Sequence, residues 1–152
     1  MTTPLALDLD GVLCDTRRLW ADWLASAGPV LGVSPEELPA DRSEAAVELD
    51  RRGAGNWRTL LERWSEERAA VYLRRDARTS EAMRALEASG RRIGVFTDAP
   101  EGLARVALAH VGAVRRVAEV EAGASAKERL LRRLGDDAVV IETRDELIQA
   151  TA

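Results

Sequence analysis

Apolar residues along the chain fall into two alternating patterns, short continuous runs and helical repeats. Leu5-Ala6-Leu7 is the first run, brief and preceded by Pro4, as expected for a strand buried on both faces of a parallel sheet. Helical spacing follows: Trp20, Trp23, Leu24 and Ala27 fall at i, i+3, i+4 and i+7, and Gly28-Pro29 is expected to stop that helix. Ser34-Pro35-Glu36-Glu37 reads as an N-cap with proline at the first helical position, and residues 43–49 form a further amphipathic stretch. After a break at Gly53 and Gly55, the pattern places Trp57, Leu60, Leu61, Trp64 and Val71 on one face of a long helix. All four tryptophans lie in this region, so they are expected to share a core.

Runs and repeats then alternate. The pattern predicts a helix over 80–89 ended by Gly90, a strand over 93–96 running into Thr97-Asp98, a helix over 101–111 and a short strand within 114–120. A helix over 127–134, stopped by Gly135, and a strand over 138–141 complete it. Such a succession points to an α/β fold with a Rossmann-like parallel sheet and right-handed crossovers. About ten residues follow Ile141, enough for one short helix, so a fifth strand is expected to be missing.

Composition narrows the class. At 152 residues the chain is expected to be one domain, long enough to bury roughly 70% of the surface its unfolded form exposes. Hydrophobic residues at 46% and charged residues at 32% are ordinary for a globular protein, and no segment is apolar for long enough to span a membrane. The start, MTTPLALDLDG, has no basic region before its first strand, so a cleaved signal peptide is not expected and a cytoplasmic location is. The single cysteine, Cys14, cannot form an intramolecular disulfide and reads as an apolar filler. Net charge is −4, and the Arg-Arg pairs beginning at 17, 51, 74, 91, 115 and 132 read as solvated faces, so no nucleic-acid partner is expected.

The chemistry concentrates in DLDGVLCDT, Asp8 to Thr16. Asp8 and Asp10 stand at the carboxyl end of the first strand, where open α/β sheets place their ligands. Two carboxylates within about 4 Å repel by roughly 4 kcal/mol at an effective dielectric near 20, which calls for a cation. Magnesium, a hard ion held by one or two carboxylates together with substrate phosphate, is the expected one. The same residues also suit an Asx turn with Gly11 in a left-handed conformation.

DLDGVLCDT resembles the first motif of the haloacid dehalogenase superfamily, in its phosphoglycolate-phosphatase-like branch, at Asp8, Asp10, Gly11, Asp15 and Thr16. The resemblance implies that Asp8 is a nucleophile forming an aspartyl-phosphate and that Asp10 is the general acid and base. It implies a core made of residues 1–14 and 76–152, with residues 15–75 forming a small helical cap that closes over the site. GVFTDAP resembles the second motif, in which Thr97 donates its hydroxyl to a phosphate oxygen beside a helix N-terminus.

The remaining two motifs depart from the family. Lys127, the only lysine, stands in the order expected of the phosphate-neutralising lysine, although relatives place theirs nearer Glu121; it is either that lysine on a shortened loop or a surface residue. In VVIETRDEL, Glu142 takes the first acidic position of the metal-binding motif and Glu146 or Asp145 the second. An Asp-to-Glu change lengthens the side chain by about 1.5 Å. The implied metal set is Asp8, Asp10 through its carbonyl, and Glu142.

Taken together these readings predict a magnesium-dependent phosphatase acting on a small phosphorylated metabolite. The rival is a binding or regulatory pseudoenzyme on the same fold, motivated by the altered third and fourth motifs. A phosphoacceptor receiver domain is disfavoured by the sixty-residue insertion directly after the first strand. His110, the only histidine, has no Ser or Cys partner suggesting a triad and reads as a packed or surface residue.

Overall fold

The computed structural model describes residues 3–152; Met1 and Thr2, part of the expected 1–14 segment, lie outside the described residues. Four strands, β1 (Leu5–Asp8), β2 (Ile93–Thr97), β3 (Glu119–Ala122) and β4 (Val139–Ile141), form a wholly parallel sheet in the order β3-β2-β1-β4. Among the described residues there is no fifth strand; the chain after β4 forms the short helix α7 (Arg144–Gln149). The order places β1 and β2 centrally, and the three apolar residues of β1 are fully buried, as their uninterrupted run requires.

Between β1 and β2 lie helices α1 (Arg17–Leu31), α2 (Arg42–Arg51), α3 (Trp57–Tyr72) and α4 (Ala77–Ala88). Helices α5 (Glu101–His110) and α6 (Ala126–Leu134) make the β2-to-β3 and β3-to-β4 crossovers. α6 packs on β2 at Gly94, where a Cβ would come within 2.5 Å of the Leu130 side chain. That close approach fixes the start of α6 near the end of β2.

Two sequence expectations need correction. α1 runs through Gly28-Pro29 to Leu31 and ends before Gly32, whose φ is 72°. Pro29 removes one N–H bond near the helix end, where the carbonyl it would have served belongs to the exposed Ala25, open to water. In α3 the buried stripe is Trp57, Leu61, Ser65 and Ala69, while Leu60 is 41% and Val71 72% exposed. The i, i+4 recurrence narrows toward small residues and lets α3 lie against α5; Ser65 satisfies its hydroxyl on the Leu61 carbonyl at 2.6 Å.

The four tryptophans share one core, as their placement in the sequence suggests, but to different depths. Trp20, Trp23 and Trp57 pack with ring centroids 5.4 to 6.3 Å apart, joining α1 to α3. Trp64 is half-buried and packs at the margin of the same cluster, against Tyr72 at 5.8 Å and under the Arg68 guanidinium. The buried cluster runs without a break from Leu5 and Leu7 through Trp23, Leu49 and Trp57 to Leu103, so the inserted helices share one core with the sheet. No described helix is long and apolar enough to cross a membrane.

Candidate active site

β1 ends at Asp8, and the chain then makes a single π turn over Leu9–Leu13. Gly11 makes this turn possible: its φ is 111°, and a Cβ there would lie 3.1 Å from the Glu142 carbonyl oxygen. The turn therefore presses against the end of β4. It presents Asp8 and Asp10 together at the carboxyl ends of the strands.

The two carboxylates live in different surroundings. Asp10 accepts four hydrogen bonds. Oδ1 takes the Thr16 amide and hydroxyl, each at 2.7 Å, and Oδ2 takes the Thr97 hydroxyl at 3.0 Å and an Arg42 Nη2–H. Thr16 is fully buried, so within the DLDGVLCDT string its work is to hold Asp10. Asp8 accepts only the Asp10 amide, at 3.1 Å, and has no cationic side chain in salt-bridge contact among the described residues. Burial, reinforced by the Asp10 and Glu142 charges, pushes the Asp8 carboxyl up to about 6.

Arg42 is the residue that sequence reasoning missed. It opens α2, is 3% exposed, and reaches down to the strand ends. Nη1 donates to the Thr16 hydroxyl at 2.6 Å. Nη2 donates to Asp10, to Asp98 at 2.7 Å and to the Thr97 hydroxyl at 3.3 Å. Nε and the backbone amide both donate to Asp98, at 3.1 and 3.0 Å. Burial alone would disfavour the charge, but Asp10 and Asp98 outweigh it and hold the guanidinium more firmly protonated than in water. The cation expected between the paired carboxylates is thus in part a protein side chain, and it serves Asp10, not Asp8. One signal was available: a basic residue directly after the N-cap Asp41 opposes the helix dipole, which is sensible only if its charge is engaged elsewhere.

The other candidates fall around the same cleft. A cavity of about 270 Å³ is lined by Asp8, Ser43, Thr97, Asp98, Ser125 and Lys127. Thr97 ends β2, and Lys127 lies in the first turn of α6 with Nζ 5.9 Å from the Phe96 ring centroid. Ser125, the N-cap of α6, is the only described non-glycine residue with positive φ, at 55°, a conformation that brings this turn onto the cleft at some cost in strain. Glu121, near which the resemblance to the third motif expects a lysine, pairs with Arg129 and Arg133 on α6. A second cavity of about 470 Å³ adjoins the first at Ser43, Asp98 and Gly123 and runs between the inserted helices and α5.

Glu142 follows β4 and is exposed; the register that pairs Leu7 with Ile141 sets it beside Asp8. Glu146 is used otherwise: Thr143 is the N-cap of α7, and its Oγ1 accepts from the Glu146 amide at 3.1 Å and donates to the Glu146 carboxylate at 3.1 Å. Among the described residues no three His, Cys, Asp or Glu side chains converge as a metal-binding group. What remains is Asp8 with Glu142, two oxygen-bearing anions on adjacent strand ends whose mutual repulsion a hard divalent cation would relieve. That donor chemistry fits magnesium.

Cys14 is buried, and burial together with the Asp10 and Asp15 charges pushes its thiol up to about 12, so it is an inert filler.

The Asp8 shift makes a prediction about the metal-free protein. Because the folded pKa lies above the ordinary value of 3.8, the stability Asp8 contributes is full below about pH 4 and is lost as pH rises through about 6. Melting temperatures of wild type and Asp8→Asn, measured in chelator from pH 4 to 8, should therefore diverge with rising pH in favour of the variant and run parallel above about pH 7. Curves that stay parallel throughout would mean Asp8 is not strained by its surroundings.

No protein-family model matches this sequence, and no curated protein matches it either. The likeness lies in three dimensions. CbbY from Rhodobacter sphaeroides, solved in complex with phosphate, superposes with a TM-score of 0.68 at 18% identity, over 92% of this chain and 77% of that one. A HAD phosphatase from Thermococcus onnurineus gives 0.57 at 19% identity, over 93% and 77%, and a beta-phosphoglucomutase from Clostridium difficile gives 0.56 at 13%, over 99% and 82%. At these identities the likeness is one of fold: the chain has the α/β architecture of the haloacid dehalogenase-like phosphatases, with helices inserted after the first strand.

Proposed function

We propose that the chain is a phosphoric monoester hydrolase of the haloacid dehalogenase type, acting on a small phosphorylated metabolite with magnesium as its ion. The observation that carries this reading is Asp8, a half-buried carboxylate with no cationic side chain in salt-bridge contact among the described residues, opening on the same cleft as Thr97 and Lys127. CbbY has been solved with phosphate and, as a mutant, with xylulose-(1,5)bisphosphate, which supports a phosphorylated small molecule as substrate.

In this reading Asp8 attacks phosphorus and carries an aspartyl-phosphate, Asp10 moves a proton to the leaving oxygen and later takes one from water, and Thr97 and Lys127 hold the phosphoryl oxygens. Asp8 and Glu142, with the Asp10 carbonyl, would hold magnesium, which supplies charge neutralisation for an anion approaching two carboxylates. Residues 15–75 form the cap, whose seated helices α2 and α3 wall the adjoining cavity and screen the site from water. The single buried thiol fits a reducing, cytoplasmic setting.

The test is hydrolysis of 4-nitrophenyl phosphate and a panel of sugar and glycolyl phosphates at pH 7. Turnover should appear with magnesium and vanish in chelator. Inertness across the whole panel in magnesium would remove the hydrolase reading and leave a binding protein on the same fold.

A further inference from the structure

We propose that a second cavity, at the junction of the inserted helices with the sheet, binds a small carboxylate between Arg75 and Arg116 and ties the junction together. The inference goes beyond the hydrolase reading and does not depend on it.

This cavity, of about 30 Å³, shares no lining residue with the strand-end cleft. Its floor is apolar and buried, made of Leu13, Met83 and Ala113; Arg75, Ser80 and Arg116 stand around it. Two segments of chain meet here. Leu13 ends the π turn that carries Asp8 and Asp10, just before α1, and Arg75 lies in the passage from α3 to α4. A ligand held in this place touches both the way into the inserted helices and the way out of α3.

The two guanidiniums converge on Gly112, at the end of α5. Gly112 has a φ of 73°, and a Cβ there would lie 3.1 Å from Arg75 Nη2, so only glycine lets Arg75 come down onto this turn. Arg75 Nε donates to the His110 carbonyl at 3.0 Å, and Arg116 Nη1 donates to the Gly112 carbonyl at 3.3 Å. The negative end of the α5 dipole, about half an elementary charge, answers one of these cations only in part. Glu87 meets Arg116 from outside the cavity, its carboxylate 2.9 Å from Nε and 52% exposed. Asp76 lines the cavity, but it is the N-cap of α4, where it accepts the Thr79 amide at 3.0 Å and hydroxyl at 2.8 Å. Arg75 is therefore the charge in surplus: among the described residues it is in no salt bridge, and its fork keeps donors beyond the one that His110 takes.

Size and lining choose the anion. About 30 Å³ is room for roughly two water-sized spheres, which suits the two oxygens of a carboxylate and not the four of a phosphate. A planar carboxylate also matches the guanidinium fork, and the apolar floor takes a methyl or a short alkyl group. The ligand class is a carboxylate of two or three carbons.

The experiment titrates acetate into the full chain at pH 7 and constant ionic strength, replacing chloride, and follows backbone amides by NMR in wild type, Arg75→Gln, Arg116→Gln and Lys127→Ala. Saturable shifts are expected at Leu13, Ser80, Gly112 and Ala113. Each arginine variant should weaken them about tenfold, the effect of losing a hydrogen bond to a charged group, whereas Lys127→Ala should leave them unchanged. Acetate should also slow amide hydrogen exchange over residues 13–16 and 73–76, which a carboxylate resting on the surface would not do. If one arginine variant does not fold, the other decides. Shifts that do not saturate, that stay within twofold of wild type in the arginine variants, or that centre on Lys127 overturn the site. Sulfate binding there as tightly as acetate overturns the carboxylate assignment, and saturable shifts without slower exchange overturn the tie across the junction. None of these readouts involves turnover, so the hydrolase reading stands or falls separately.

Discussion

Asp8→Asn is expected to lower turnover by about a thousandfold or more while leaving the protein more stable at neutral pH, not less. The amide is nearly isosteric, and its oxygen still accepts the Asp10 N–H that Asp8 accepts at 3.1 Å, so the π turn is kept. What disappears is the proposed nucleophile, together with a charge that burial, Asp10 and Glu142 all disfavour. Asp10→Asn should also lose turnover but should destabilise, because the Asp10 carboxylate anchors Arg42, Thr16 and Thr97. Two acids one residue apart thus have opposite signs in a melting experiment and the same sign in an assay. Retained activity in Asp8→Asn would remove it as the nucleophile; equal loss of stability in both variants would make Asp8 a structural residue.

How legible the molecule is from its residues depends on how local each feature is. The strands were readable because each is a short apolar run ending in a polar residue, and their alternation with helices leaves few topologies besides a parallel sheet. Asp8 and Thr97 were readable for the same reason: a strand's end determines where its next side chain sits. The buried face of α3 was not, since Leu60 and Val71 are as apolar as Leu61 and periodicity cannot tell which stripe meets α5. The stripe that does so ends in Ser65 and Ala69, chosen by how closely two helices approach, and that distance is a tertiary property.

Arg42 lay furthest from view. It is one of the arginines of a chain with 22 basic residues, and it opens a helix whose neighbours, Asp41 and Glu44, make an ordinary polar first turn. Its partners are 26 to 56 positions away. Only the folding of the insertion back over the strand ends brings them together. The same geometry explains why the magnesium expectation was half of an answer: two carboxylates one residue apart both call for a cation, whereas the fold gives one of them a guanidinium and leaves the other open to the cleft.

Arg42→Met should cost about 3–5 kcal/mol of stability, the usual penalty for breaking a buried pair on one side. At this chain length each kcal/mol moves Tm by about 2–4 °C, so a fall of roughly 10–15 °C is expected. The loss of attraction is the smaller part; the larger is Asp10, left charged with a side chain only 7% exposed. Asp98, 38% exposed, is hydrated and should suffer little. Adding Asp10→Asn to Arg42→Met removes the stranded charge, so the double variant should recover much of the loss, and urea denaturation of the four proteins of the cycle should give a coupling energy above about 2 kcal/mol. If Asp10→Asn costs as much in the Arg42→Met background as it does in wild type, the pair is not coupled and the cap is held by its apolar contacts alone. If the double variant regains stability, binds phosphate poorly and turns nothing over, then the tryptophan core is what keeps the inserted helices down, and the ion pair beneath them belongs to the chemistry of the site.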